Sequence, residues 1–365
     1  MTNTNVFCTN CECAYPPEGV PYRCPTCAGL YDYRVLFHFD PAQVDLSQPG
    51  IWRYRHTFNL PPDLEPVSLG EGNTPLIWAK AFNRRVAFKC EFINPSGSFK
   101  DRGSSLIAAW LKWHGVTEAV EDSSGNAGAS FAAYAARAEI NARIFVPDSA
   151  SGSKRKQIEA YGAELVPISG SRSDVSDAVR KVAETGTAYA SHAYLPFNLP
   201  GYATAAYEIV EQLGQMPGTV VVPVGQGGLL LGLARGFETL RIDNQMTAKP
   251  RLIGVQAEAC APLWATFSAE GKEPGPIAEN HTLAEGVRVR NPLRKDAVIK
   301  AVVASGGSMC VAEENEILPG RDALAGLGLY VEPTSAIVWA PLTRMVEILS
   351  DPIVVILTGS GLKYG

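Results

Sequence analysis

An α/β fold built on parallel sheets is what this sequence predicts, and three observations carry the prediction. From about residue 67 onward, short β-branched runs alternate with Ala-rich helical stretches. Small-residue turns stand where such runs give way to helices, at 123–128 and 225–228. Ahead of them, two C-x-x-C pairs fall within the first 27 residues and read as a small separate ribbon.

The elements follow in chain order. "CTNC" supplies Cys8 and Cys11, and "CPTC" supplies Cys24 and Cys27. Each pair sits on a tight turn, so four thiolates can converge on a tetrahedral zinc ion. With all four positions filled by protein, such a site is structural. A ribbon without metal and a disulfide cluster are the alternatives. Cys13 is a fifth thiol and a substitute ligand; Cys90, Cys260 and Cys310 read as buried free thiols. Residues 34–66 are rich in aromatics and Pro and read as an extended connector, a candidate surface for a second copy of the chain. "RVAFKCE" reads as a strand and "SSLIAAWLKWHG" as a helix ending at Gly115. "AVEDSSGNAGASFAAYAARA" is strand, turn and helix; "ARIFVP" and "AELVPI" are strands; "SKRKQIEAYGA" and "DVSDAVRKVAETG" are helices. "TVVVPVGQGGLLLGLARGFETL" repeats the strand–turn–helix pattern, and "RLIGVQAE" and "PIVVILTGSG" complete the strands.

The totals bound the function. With 365 residues, 46% hydrophobic and 19% charged, the chain has ordinary globular composition and length for two to three domains. A net charge of −5 argues against nucleic acid as a partner. No apolar run reaches the roughly 18 residues of a membrane span. No cationic start leads into an apolar segment, so a cytoplasmic location is expected, where disulfides are disfavoured.

Four motifs bear on chemistry. In "INPSGSFKDRGSS", Lys100 stands where a turn gives way to an apolar helix, a setting that a solvated lysine does not need. In "PVGQGGLLLG", the strand enters Gly225, Gln226, Gly227 and Gly228 before an apolar helix, so backbone N–H groups can close around an anion. It is neither the dinucleotide fingerprint, because position 230 is Leu, nor a P-loop. In "SSGNAG", Ser123, Ser124, Gly125 and Asn126 offer hydroxyl, amide and N–H donors suited to a carboxylate. In "ILTGSGLKYG", Thr358 sits where a buried strand stops. Each has a plain structural reading as a cap or turn. Together they fit one group: pyridoxal phosphate, whose aldehyde takes an amine and whose phosphate needs an anion site.

With these motifs in place, the chain resembles the fold-type-II pyridoxal-phosphate enzymes, and within them the threonine synthase family. The matching pieces are "EGNTPL" (71–76), "NPSGSFKDRG" (94–103), "SSGNAGASFAAYAARA" (123–138), "PVGQGGLLLG" (223–232), "EPTSA" (332–336) and "LTGSGLK" (357–363). The resemblance implies two open, twisted, mostly parallel α/β domains with the cofactor between them, as in the tryptophan synthase β fold, plus the N-terminal zinc-ribbon-like segment. The implied division is 1–33 ribbon, 34–66 connector, 67–99 and 206–365 large cofactor-binding domain, and 100–205 smaller substrate-side domain. It further implies that Lys100 carries the cofactor as an imine and that Gly225, Gln226, Gly227, Gly228 and Leu229 hold its phosphate. Asn126 would meet the ring 3-hydroxyl and Thr358 the pyridine nitrogen. Ser123, Ser124, Gly125 and Asn126 would hold the substrate carboxylate. A homodimer acting on a small amino acid is implied as well.

Two departures separate this chain from the threonine synthase pattern. Where the family tends to supply an arginine for a second phosphate, "LPFNLPGYAT" (195–204) has no basic residue, and none lies between Val182 and Ala234. The cradle reads "GQGGL", with Leu229 in place of a polar side chain. The "SKRK" cluster (Lys154, Arg155, Lys156) reads as a solvated helix start. One reading is therefore conversion of O-phosphohomoserine to threonine and phosphate. Another is a related enzyme of altered substrate, a serine or threonine dehydratase or a β-replacement enzyme. A third, from another class, is an inert enzyme body whose ribbon binds a partner.

Overall fold

The structure is a computed structural model, and it describes residues 5–148, 152–244, 246–269, 271, 273, 275 and 277–364. Among the described residues the strands are β1 (Val6–Cys8), β2 (Tyr31–Tyr33), β3 (Leu76–Ala81), β4 (Arg84–Lys89), β5 (Glu118–Glu121), β6 (Asn141–Pro147), β7 (Glu164–Ile168), β8 (Ala188–Tyr189), β9 (Thr219–Pro223), β10 (Arg251–Ala257), β11 (Ser308–Ala312) and β12 (Ile353–Ile356). The helices used below are α1 (Lys100–Trp113), α2 (Asn126–Ala138), α3 (Ser153–Ala160), α4 (Arg172–Glu184), α5 (Leu199–Leu213) and α6 (Gly228–Asp243). The chain divides into two compact units, one of residues 1–72 and 94–201, the other of 73–93 and 202–364.

The first unit holds a four-stranded sheet in the order β7-β6-β5-β8, parallel throughout. Helices α1 and α2 pack together, and Gly128 of α2 lets the preceding loop fold close: a Cβ there would lie 1.8 Å from the Ser123 carbonyl oxygen. The same unit carries the ribbon, in which β1 and β2 pair antiparallel with Val6 opposite Tyr33. Tyr15 of the ribbon stands edge-on to Trp110 of α1 and to Phe197, with ring centroids 6.0 and 5.0 Å away. Arg23 meets Glu184 of α4 at 2.6 Å. The connector turns its rings inward: Trp52, Tyr54 and Phe58 are fully buried. Trp52 Nε1 donates to Ser105 Oγ on α1 (2.9 Å), which donates to the Val67 carbonyl (2.7 Å). The helix that begins at Lys100 is thus braced by both N-terminal segments.

The second unit holds a six-stranded sheet in the order β11-β10-β9-β12-β4-β3. Only the β3–β4 pair is antiparallel. Its two-residue turn places Phe82 and Asn83 at φ 51° and 60°, the left-handed pair that a type I′ hairpin requires. Strands β9 ("TVVVP") and β12 ("IVVI") are buried at every position, as expected of parallel strands covered on both faces. Val221, Ile253, Val255, Ile353 and Val355 form the centre of this core.

Candidate active site

In the first unit the site grows from the start of α1 and from the carboxyl ends of two adjacent strands. Lys100 is the first residue of α1, and its Nζ lies 4.9 Å from the centre of the Phe99 ring. The neighbouring Asp101 is fully buried and accepts from the Ser96 N–H (2.6 Å), the Ser96 hydroxyl and the Ser130 hydroxyl (2.6 Å) on α2. That network fixes the turn ahead of Lys100 to α2. Burial pushes the Lys100 amine down to about 8; Glu121 pulls it up, and Arg172 lowers it further. An amine held that low is a nucleophile near neutral pH.

The loop 123–126 leaves the end of β5. Ser123 is buried, and its hydroxyl accepts from the Gly125 N–H at 3.2 Å. Gly125 caps α2 without a side chain, and Asn126 is the first residue of that 13-residue helix. A helix start of this kind favours a carboxylate.

Directly before this loop stands a pair that sequence reasoning did not single out. Glu121, the last residue of β5, is 1% exposed, and its carboxylate meets His192 Nδ1 at 3.0 Å. His192 follows β8, the strand beside β5. The Ser123 N–H donates to the other Glu121 oxygen. Burial first, then the adjacent Asp122 charge, push the Glu121 carboxyl up to about 8, against Ser123, Arg172 and Lys100. Burial, Lys100 and Arg172 hold His192 well below the ordinary imidazole range. Arg172, at the start of α4, donates to the Asp122 carbonyl at 3.2 Å and lies 4.0 Å from its carboxylate. The "SKRK" cations lie on α3, where Arg155 pairs with Glu159 at 3.9 Å and Lys156 is exposed.

In the second unit, two further motifs leave the carboxyl ends of adjacent parallel strands, β9 and β12, which pair Val355 with Val221. Gly225 to Gly228 link β9 to the 16-residue α6. Gly227 adopts φ 85°, a left-handed conformation that glycine alone takes freely. Gln226 Oε1 accepts from the Leu293 N–H at 3.1 Å, which pins the turn while leaving backbone groups at the helix start. Leu229 is buried in the first turn of α6. Thr358 is buried after β12, with its hydroxyl 2.9 Å from that of Ser335 in "EPTSA". The Ser335 hydroxyl in turn accepts from the Gly359 N–H at 2.8 Å.

The ribbon gathers its own cluster. The sulfurs of Cys8, Cys11, Cys24 and Cys27 all lie within 4.8 Å of one another. Three of the separations are 3.4 to 3.6 Å, close to the ~3.8 Å edge of a tetrahedron with Zn–S bonds of about 2.3 Å. Among the described residues Cys13 is not part of this cluster.

Each unit by itself carries groups of a kind that pyridoxal phosphate can use: a lowered amine in the first, and in the second a helix-start turn with a left-handed glycine and a buried hydroxyl at a strand end. The family model described as "Pyridoxal-phosphate dependent enzyme" matches residues 67–359. The chain belongs to that family. Within the pyridoxal-phosphate dependent enzymes its sequence is threonine-synthase-like. It is 31% identical to the threonine synthase of Methanocaldococcus jannaschii, over 98% of this chain and 92% of the relative. It is 35% identical to that of Synechocystis sp., over 81% of this chain and 78% of the relative. Among solved structures, a threonine deaminase from T.th. superposes with a TM-score of 0.66 at 26% identity, covering 80% of this chain and 94% of the other. Maize serine racemase, at 24% identity and a TM-score of 0.69 over 80% of this chain and 89% of the other, shows the shared fold. The protein is a fold-type-II pyridoxal-phosphate-dependent lyase, and no helix among the described residues is long and apolar enough to cross a membrane.

Proposed function

We propose that this enzyme carries out elimination and replacement at the β or γ carbon of a small amino acid, converting O-phosphohomoserine and water to threonine and phosphate. The observation that carries the reading is Lys100, an amine pushed down to about 8 at the start of α1, beside the loop that suits a carboxylate. Bound pyridoxal phosphate supplies an electron sink for the bonds at the substrate α carbon. Lys100 would hold the cofactor at rest and move the α proton. Gly225, Gln226, Gly227, Gly228 and Leu229 would hold its phosphate through backbone groups, and Asn126 its ring hydroxyl. Thr358, backed by Ser335, would donate to the ring nitrogen and leave it unprotonated. Ser123, Ser124, Gly125 and Asn126 would take the substrate carboxylate.

A second reading, dehydration of serine or threonine, draws support from one observation. Arg172, a cation whose charge acts on Lys100, is tied to Asp122, and no Lys or Arg lies between Val182 and Ala234 in the sequence. A phosphate leaving group wants cations, whereas a hydroxyl wants a proton. Incubation with O-phosphohomoserine, and separately with L-serine and L-threonine, decides: free phosphate supports the first reading and a 2-oxo acid the second. Neither product from any of the three refutes both.

Zinc on Cys8, Cys11, Cys24 and Cys27, a homodimer and a cytoplasmic location belong to the same proposal. Elemental analysis, light scattering and cell fractionation test them in turn.

A further inference from the structure

Both readings above make or break a bond between oxygen and the substrate β carbon. That oxygen gains or sheds a proton in the same step. Lys100 serves the α proton, so a separate carrier would let the oxygen's proton move in the same step. Among the side chains of the sequence motifs none suits: the hydroxyls of Ser123 and Ser124 are weak acids, and the two glycine loops carry no titratable side chain.

We propose that His192 and Glu121 form a relay that carries the proton of the β-carbon oxygen, while Lys100 handles the proton at the α carbon. The inference rests on the family chemistry proposed above and on the geometry of the first unit. Glu121 and His192 rise from the carboxyl ends of adjacent parallel strands, β5 and β8, where ligands of open α/β sheets bind. They meet at 3.0 Å through Nδ1, which leaves Nε2 as the working nitrogen. The Glu121 carboxylate is anchored by the N–H of Ser123, the first residue of the carboxylate loop. The His192 carbonyl accepts from Asn198 Nδ2 at 2.6 Å, so its backbone is held as well. The groups whose charges act on the pair are Lys100 from α1, Asp122 from the end of β5 and Arg172 from α4. The Glu121 side chain is 1% exposed and that of His192 17%, so the carboxylate is sealed in while the ring is only partly buried.

The step balances. In elimination of a hydroxyl, the Cβ–O bond breaks and its electron pair leaves on oxygen. Nε2 gives its proton to that oxygen, the Glu121 carboxyl proton passes to Nδ1, and water departs. In addition of water, the Cβ–O bond forms, Nε2 takes the proton from water, and the Nδ1 proton returns to Glu121. Neither direction requires a full imidazolium, which agrees with a ring held well below the ordinary range.

The test uses the holoenzyme in deuterated water with His192→Asn, Glu121→Gln and Lys100→Ala. The probe is whichever of O-phosphohomoserine, L-serine and L-threonine the wild type consumes. His192→Asn is expected to lose product formation about 100-fold or more, the usual weight of a general acid or base. It is also expected to exchange the α proton within about threefold of wild type. Glu121→Gln is expected to follow the same pattern with a smaller loss, and Lys100→Ala to lose both. Equal loss of exchange and product in His192→Asn, or no loss of product, overturns the relay. A second readout needs no turnover. In ¹⁵N spectra the His192 ring should stay neutral from pH 6 to 9 while its proton shifts from Nε2 to Nδ1 as Glu121 ionises, and Glu121→Gln should abolish the shift. A ring that titrates as an ordinary imidazolium, or keeps one tautomer throughout, overturns the proposal even if no probe is consumed. Consumption of none of the probes refutes the functional reading alone and leaves the spectra to decide the relay.

Discussion

Replacing Lys89 by methionine removes one charge from a fully buried ion pair in the second unit. Lys89 Nζ donates to Glu208 Oε2 at 2.7 Å, to the Thr74 carbonyl at 2.7 Å and to Gln212 Oε1 at 3.0 Å. Neither side chain has any exposed surface, so solvent does not screen the loss. Breaking such a pair from one side strands the other charge and costs ~3–5 kcal/mol. At ~2–4 °C per kcal/mol for a unit of 150–250 residues, the melting temperature should fall by roughly 6–20 °C. The other Glu208 oxygen accepts from the Asn73 N–H at 2.7 Å, so the damage should spread into the "EGNTPL" loop. Calorimetry and urea titration of the holoenzyme read the change. The control is Lys89→Met combined with Glu208→Gln, which removes both charges and keeps an acceptor for Asn73; it should regain most of the loss. A single variant that costs under about 1 kcal/mol, or a double variant no more stable than the single, would show that the pair does not act as a buried charge couple.

Three further outcomes follow from the sites. In the cofactor-free protein burial should lower the Lys100 amine to about 8 from the free value of ~10.4, so cofactor capture should accelerate with pH and level off above about 8. Between those two values the unfolded chain binds more protons than the folded one, so this group's destabilising effect should fade as pH rises. Capture that keeps accelerating beyond pH 10, followed by absorbance, would contradict the lowered amine. Gly227→Ala forces alanine to φ 85° and sets its Cβ 2.4 Å from Val298, at a cost of about 1–3 kcal/mol. Cofactor retention in dialysis should fall at least about tenfold, while Gly125→Ala, whose nearest neighbour would be Ser123 Oγ at 3.6 Å, should fold normally. Finally, protein expressed with zinc should hold one equivalent, lost in Cys24→Ser and kept in Cys13→Ser, because Cys13 is not part of the four-sulfur cluster. Retention by Cys24→Ser would rule that cluster out.

The fold was legible wherever local pattern and tertiary demand agree. "TVVVP" and "PIVVIL" are continuous apolar runs because β9 and β12 are covered on both faces. "NAGASFAAYAARA" reads as a helix because alanine favours one, and it packs tightly because Gly128 admits the Ser123 carbonyl. Strand β3 was missed: "LIWAKA" is an edge strand with Ile77 and Trp78 exposed, so its burial does not alternate cleanly. Strand β8 has two residues, too few for any periodicity.

The site divides along the same line. Lys100, the loop 123–126, the turn 225–228 and Thr358 each sit in a contiguous motif whose spacing carries the signal. Glu121 and His192 are 71 residues apart, and their meeting depends on β5 pairing with β8, a fact of sheet order that no short window contains. One trace was present: "EAVED" ends an apolar strand on two acids, where solvent-facing polarity would be expected only after the turn. A buried carboxylate is costly without a partner, so that anomaly already demanded one. The same reasoning applies to Arg172. On sequence it lies just ahead of the helix read from "DVSDAVRKVAETG"; in the fold it is the first residue of α4 and a cation whose charge acts on Lys100, Glu121 and His192 alike. The residues proposed to hold the cofactor are therefore local in sequence. The charges that act on Lys100 are brought together only by the fold, which is why sequence motifs point to the cofactor more readily than to the substrate.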